Sequence, residues 1–112
     1  MKINQEKVGD VLIVRIDEIR LDSAVSPQFK TALLRLLEDK KTKKILIDLK
    51  KVDYVDSSGL GALLFGHRQL KSNSGKLKLL HLSTKIRTLI KIAKLDDVLE
   101  GFSSEKEALK SF

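Results

Sequence analysis

Ile45-Leu46-Ile47-Asp48-Leu49, followed by Asp53-Tyr54-Val55-Asp56-Ser57-Ser58-Gly59-Leu60-Gly61 and then by Leu63, Leu64 and Leu70, decides the fold class. The first run is short and nearly all apolar, which suits a strand buried on both faces. From about Ser58 to Leu70, the residues Leu60, Leu63, Leu64 and Leu70 recur on one helical stripe. A strand, a tight polar turn and an amphipathic helix in that order form one unit of an α/β sheet.

Upstream of this unit, Ile3 to Val8 reads as a weak strand. Gly9-Asp10 suits a tight hairpin turn, and Val11 to Ile16 is a β-rich run. A first helix is expected from Ser26-Pro27, with Ser26 as cap and Pro27 at the first position, where its missing N–H is not needed. Phe29, Ala32, Leu33, Leu36 and Leu37 then mark its inner face.

Downstream, Asn73-Ser74-Gly75 breaks the second helix, and Leu77, Leu79, Leu80 and Leu82 predict another strand. Ser83 caps a third helix with Ile86, Leu89, Ile90 and Ala93 inward. Val98 to Phe102 predicts a last short strand. Ser104-Glu105-Lys106-Glu107 fits a capping box that opens a C-terminal helix carrying Ala108, Leu109 and Phe112. The order β-β-α-β-α-β-α-β-α predicts a mixed, mainly parallel sheet covered by helices. Leu33, Leu36, Ile45, Ile47, Leu63, Leu79 and Ile90 are expected to share one core.

The chain of 112 residues has one domain's worth of sequence, and a single domain over 1–112 is expected. Apolar residues are 42% of the chain and charged residues 33%, which excludes the composition of a disordered chain. No apolar run is long enough for a transmembrane helix, and the N-terminus lacks a signal-peptide pattern, so a cytoplasmic protein is expected. Cysteine is absent, which excludes disulfides, thiol catalysis and thiolate metal sites. Two histidines, His67 and His81, leave little for a metal site or an imidazole base, and His81 is expected among the strand leucines. The charge balance of 22 basic against 15 acidic residues gives +7. Lys40, Lys41, Lys43 and Lys44 cluster, but no aromatic or arginine-rich platform accompanies them. A solvated loop before a strand is favoured over a nucleic-acid surface.

In α/β sheets the functional surface usually lies at strand-to-helix turns. Two such turns stand out, Arg20-Leu21-Asp22-Ser23 and the stretch from Asp53 to Gly61. Asp56, Ser57 and Ser58 are three short polar residues, each able to accept from the free N–H groups of the helix's first turn. Gly59 and Gly61 each cost about 1 kcal/mol of helix propensity against alanine, which points to a steric requirement. Two readings follow: an ordinary cap whose glycines pack against a neighbouring strand, or an exposed serine at the positive end of a helix, where a phosphate is tolerated. Catalytic motifs do not fit. A nucleophile elbow needs glycine at position 56, a P-loop needs Gly-Lys-Ser/Thr, and a Ser-His-Asp site would have to recruit His67 or His81.

Asp53-Tyr54-Val55-Asp56-Ser57-Ser58-Gly59-Leu60-Gly61-Ala62-Leu63, the Arg20-Leu21-Asp22-Ser23 turn, the Leu95-Asp96-Asp97-Val98-Leu99 segment and the element order together resemble the STAS domain family. The resemblance is to its bacterial anti-sigma factor antagonist branch. It implies a mixed sheet with helices packed mainly on one side, and a binding module rather than an enzyme, with no cofactor and no metal. It implies as partners an anti-sigma factor that is also a serine kinase, and a serine phosphatase, with no direct contact to nucleic acid or membrane. The phosphorylated serine would be Ser58, the one directly before the first motif glycine. Asp22, Ser23, Asp56, Ser57, Gly59, Leu60 and Gly61 would make the partner-binding surface, with Ser57 in a capping or supporting role. One stretch departs from the family. Members commonly have glycine shortly before the Leu-Asp of the first turn, where this chain has Glu18-Ile19-Arg20.

A phosphate on Ser58 would add about −1.5 to −2 charges at pH 7. The helix terminus favours that anion and Asp56 and Asp22 oppose it, so the expected effect is on partner contact rather than on folding. Two other readings compete. One is a scaffold of the same family, acting in a signalling or transport assembly with Ser58 never modified. The other is a small nucleic-acid-binding protein driven by the lysine excess.

Overall fold

A computed structural model describes residues 1–112. The strands and helices run β1 (Ile3–Val8), β2 (Val11–Ile16), β3 (Arg20–Leu21), α1 (Ser26–Leu36), β4 (Lys44–Asp48), β5 (Tyr54–Val55), α2 (Ser57–Ser72), β6 (Lys76–Leu80), α3 (Thr84–Ile92), β7 (Gly101–Phe102) and α4 (Glu105–Ser111). Five strands form one sheet in the order β1-β2-β4-β6-β7. β1 and β2 are an antiparallel hairpin, and every other pair is parallel. The hairpin closes over Gly9-Asp10, with Val8 opposite Val11 and Gly9 at φ +62°, a left-handed conformation open to glycine.

The order explains where the helices lie. Each parallel crossover steps one strand along the sheet in the same direction, and right-handed crossovers then place α1, α2 and α3 on the same face. Alternation along the strands does the rest. Val14, Ile16, Ile45, Ile47, Leu77 and Leu79 face these helices and pack with Phe29, Leu33, Leu63, Leu70, Ile86 and Ile90. Val11, Ile13, Leu46 and Leu80 face the other way and meet Ala108 of α4. The mixed, mainly parallel sheet with helices mainly on one side is therefore present. Of the expected core residues, Leu36 alone is only partly buried against the cluster. No helix is long and apolar enough to cross a membrane.

Polar residues on the α4 face are joined to one another. The register sets Arg15 beside Asp48, and the Arg15 guanidinium bonds Asp48 at 2.8 Å, Glu105 at 2.9 Å and Glu6 at 2.8 Å. Lys78 is 7% exposed, and its Nζ donates to the Ser111 carbonyl at 2.8 Å, so it fastens the end of α4 to β6.

Several local expectations fail for identifiable reasons. Ser26 is not the cap of α1 but its first residue, and it is buried. Val25 holds the cap position without a side-chain bond, and Asp22 accepts from the N–H groups of Ala24, Val25 and Ser26 instead. β6 ends at Leu80, because His81 takes φ +60° and carries Leu82 out of the ladder. The His81 ring, expected among strand leucines, turns back to Asp48 at 3.0 Å. Ala93 is exposed, since α3 stops at Ile92 and Ala93 is its cap. Only Gly101–Phe102 of the expected last strand joins the sheet, because Leu95 to Leu99 close a turn through N–H bonds to the Leu95 carbonyl. The lysine cluster lies where β4 begins, after an irregular segment, and Lys44 pairs with Asp10 at 2.6 Å.

Candidate functional site

The two turns singled out in the sequence meet. Arg20 and Leu21 pair in parallel with Tyr54 and Val55, making a two-stranded ribbon outside the main sheet. The Ile19 carbonyl accepts from the N–H groups of Asp53 at 2.7 Å and Tyr54 at 3.3 Å, which sets the register of the ribbon. Leu21 and Val55 point into the core, and Arg20 and Tyr54 point out.

Asp56 joins the ribbon to α2. Its Oδ1 accepts from the Gly59 N–H at 2.9 Å and caps the helix. Its Oδ2 accepts from the Ser23 N–H at 3.2 Å across the turn. Among the three polar residues able to cap, the aspartate does so, because it reaches the helix with one oxygen and the opposing turn with the other. Ser57 and Ser58 occupy the first two helical positions. Neither hydroxyl is engaged in a bond within the chain, so the expected capping role of Ser57 falls to Asp56. Ser57 is exposed and Ser58 half-buried, where one of the two readings had an exposed serine at the helix end.

The two glycines divide the two readings between them. A β-carbon on Gly59 would fall on the Leu21 carbonyl oxygen, so Gly59 is required by packing against the ribbon. A β-carbon on Gly61 would meet nothing within 4 Å. Gly61 therefore leaves an open place on the helix surface and no internal contact requires it. Leu60, grouped with the surface residues by sequence, is 8% exposed and belongs to the core. Of the expected set, the structure brings Asp22, Ser23, Asp56, Ser57, Ser58 and Gly61 to one edge of the molecule. It puts Gly59 and Leu60 beneath them.

The electrostatics are local. Arg20 Nε donates to Asp22 Oδ2 at 3.0 Å, and this bond holds the Asp22 carboxyl below the usual carboxylate range. The same guanidinium lies over the Tyr54 ring, 4.1 Å from its centre. This stack leaves no local pattern in the sequence, because it depends on a pairing of residues 34 positions apart in the chain. Two of the clefts lie elsewhere. One of about 540 Å3 runs between β1 and α1 over Ile3, Gln28 and Arg35. The other, about 310 Å3, lies over Arg15, Asp48, His81 and Glu105. Neither borders the Asp56 turn.

The STAS domain family matches residues 2–108. The chain is 32% identical over 103 residues to the anti-sigma-B factor antagonist of Bacillus subtilis, covering 89% of this chain and 91% of that one. Among solved structures it resembles an anti-sigma-factor antagonist domain protein from Planctomyces limnophilus, with a TM-score of 0.88, 23% identity and coverage of 97% and 96%. It also resembles the Bacillus cell fate determinant SpoIIAA in its phosphorylated form, with a TM-score of 0.74, 22% identity and 98% coverage of each chain. At these identities the two structures speak to the fold.

Proposed function

The chain belongs to the STAS domain family, and from that premise we propose that it is an anti-sigma factor antagonist whose binding is switched by phosphorylation of Ser58. The observation that carries this reading is the Asp56-bridged junction, where a free serine hydroxyl stands at the N-terminus of α2 beside the Asp22 turn. The unmodified protein binds an anti-sigma factor that is also a serine kinase, and so releases the sigma factor. The kinase transfers phosphate from ATP to Ser58, and a serine phosphatase removes it. The exchange takes place in the cytoplasm. The relative from Bacillus subtilis, named for antagonism of an anti-sigma factor, supports the role, and so does the phosphorylated form in which SpoIIAA has been solved.

The chemistry of the switch follows from the site. The helix N-terminus offers a phosphate free N–H groups and a favourable dipole. Asp56 and Asp22 oppose it at close range, and Arg20 already offsets part of the Asp22 charge. Within the chain these effects partly cancel, so the fold is kept. At an interface the added dianion faces whatever the partner presents, with water excluded, and an unmatched charge there weakens binding strongly. Affinity changes without a change of conformation.

The test is incubation with the cognate anti-sigma factor kinase and ATP, with the modified residue located by mass spectrometry and kinase binding measured before and after. Phosphate on Ser58 and at least tenfold weaker binding are expected. Phosphate on Ser57 alone overturns the assignment. No phosphate, with the kinase active on another substrate, overturns the switch and favours a scaffold role.

A further inference from the structure

The large apolar side chains that remain exposed are Ile19, Leu34, Tyr54 and Ile92, and two of the four belong to the ribbon segments, Tyr54 at 38% in β5 and Ile19 at 68% directly before β3. Arg20, the register partner of Tyr54, has a side chain that is 59% exposed. An exposed arginine ordinarily samples many rotamers, and fixing them on binding costs free energy. Here the cost is met beforehand. Asp22 takes Nε at 3.0 Å and Tyr54 lies under the guanidinium plane at 4.1 Å. The two terminal nitrogens make no bond in the chain and remain free as a planar fork. An immobilised arginine stacked on an aromatic ring is a composition in which binding energy concentrates at protein interfaces. The ribbon is continuous with the Ser58 turn, since Asp56 follows Val55 directly and accepts from Ser23.

From this arrangement we infer that Arg20 is a specificity-determining residue of the docking face, presenting its free fork to a carboxylate on the partner, with the Tyr54 ring excluding water beneath the pair. The inference rests on the proposed antagonist role and adds to it the acidic group that the partner must carry. A planar carboxylate matches the fork with two parallel bonds, which lysine at this position could not offer.

The test measures binding of the purified anti-sigma factor kinase to the wild-type chain and to Arg20→Gln and Arg20→Glu, with thermal unfolding of each. Arg20→Gln is expected to weaken binding by about tenfold and Arg20→Glu by about 30-fold or more, at little change in melting temperature. Because Arg20→Glu places an acid beside Asp22, a second arm reverses surface Asp and Glu residues of the kinase to Lys one at a time. Recovery of Arg20→Glu binding by one of these reversals identifies the contact and separates it from unfolding. Wild-type binding with Arg20→Gln and Arg20→Glu both within twofold of it overturns this inference alone. Failure of the wild-type chain to bind overturns the antagonist reading, and this inference with it.

Discussion

The Leu21 carbonyl oxygen occupies the place that a β-carbon on Gly59 would take. The short ribbon and the first turn of α2 are thus locked backbone to backbone, and the Asp22 turn is held at a fixed offset from Ser58. Gly59→Ala is expected to destabilise the fold by about 1–3 kcal/mol, because the clash is with backbone and no flexible side chain can yield. Gly61→Ala should do the reverse. With nothing within 4 Å of its β-carbon, it gains up to about 1 kcal/mol of helix propensity. Urea denaturation of both variants checks the pair. A larger change, Gly61→Gln, should leave stability intact and weaken kinase binding. Collapse of its melting temperature with normal binding by the folded fraction would show Gly61 to be a packing residue.

Leu63 is fully buried on α2, within the main core. Leu63→Ala removes three carbons from a closely packed site and is expected to cost about 2–5 kcal/mol by chemical denaturation. A loss below about 1 kcal/mol would mean that α2 does not direct this face at the core.

Asp48 has the clearest pH signature. Burial opposes its ionisation, but bonds from His81 and Arg15 outweigh burial and hold its carboxyl below the usual range. A carboxyl more acidic in the folded than in the unfolded chain contributes stability that is complete above the unfolded value of about 3.9. That contribution is lost as pH falls through the depressed folded value. Asp48→Asn should therefore lower stability at neutral pH and flatten its decline below about pH 4. Parallel acid-unfolding curves for the two proteins would refute this.

How much of this was legible in the sequence depended on distance along the chain. Ile45 to Leu49 and Phe29 to Leu37 carry their periodicity within a few residues, so strand, helix and shared core could be read directly. Ser83 and Ser104 each cap the helix that follows, as their local patterns indicate. The two-residue strands β3 and β5 carry no period, and only their mutual pairing defines them. At the Asp56 turn the sequence showed that one of three residues caps. The choice of Asp56 needed the Ser23 N–H, which arrives from a distant turn. Leu82 matched a strand pattern that the left-handed backbone of His81 cuts short. The Arg20–Tyr54 stack likewise has no local trace.

Ser58 gives the last prediction. It is the second residue of α2, half-buried, with its hydroxyl unengaged while Asp56 serves as cap. Ser58→Ala therefore removes no bond, and its stability should stay within about 0.5 kcal/mol of wild type. It should bind the kinase and resist phosphorylation. Ser58→Asp places a carboxylate in the first turn, where the helix dipole favours it and Asp56 opposes it, so its melting temperature should also change little. Its kinase binding should fall by about tenfold, because the charge enters the interface with no matching cation. Ser57 is the control one position earlier, exposed and equally free. Ser57→Asp should weaken binding less than Ser58→Asp if the partner reads position 58. Titration calorimetry of the wild type and the three variants, with circular dichroism melts, tests the ordering. A greater loss from Ser57→Asp than from Ser58→Asp would move the switch to Ser57.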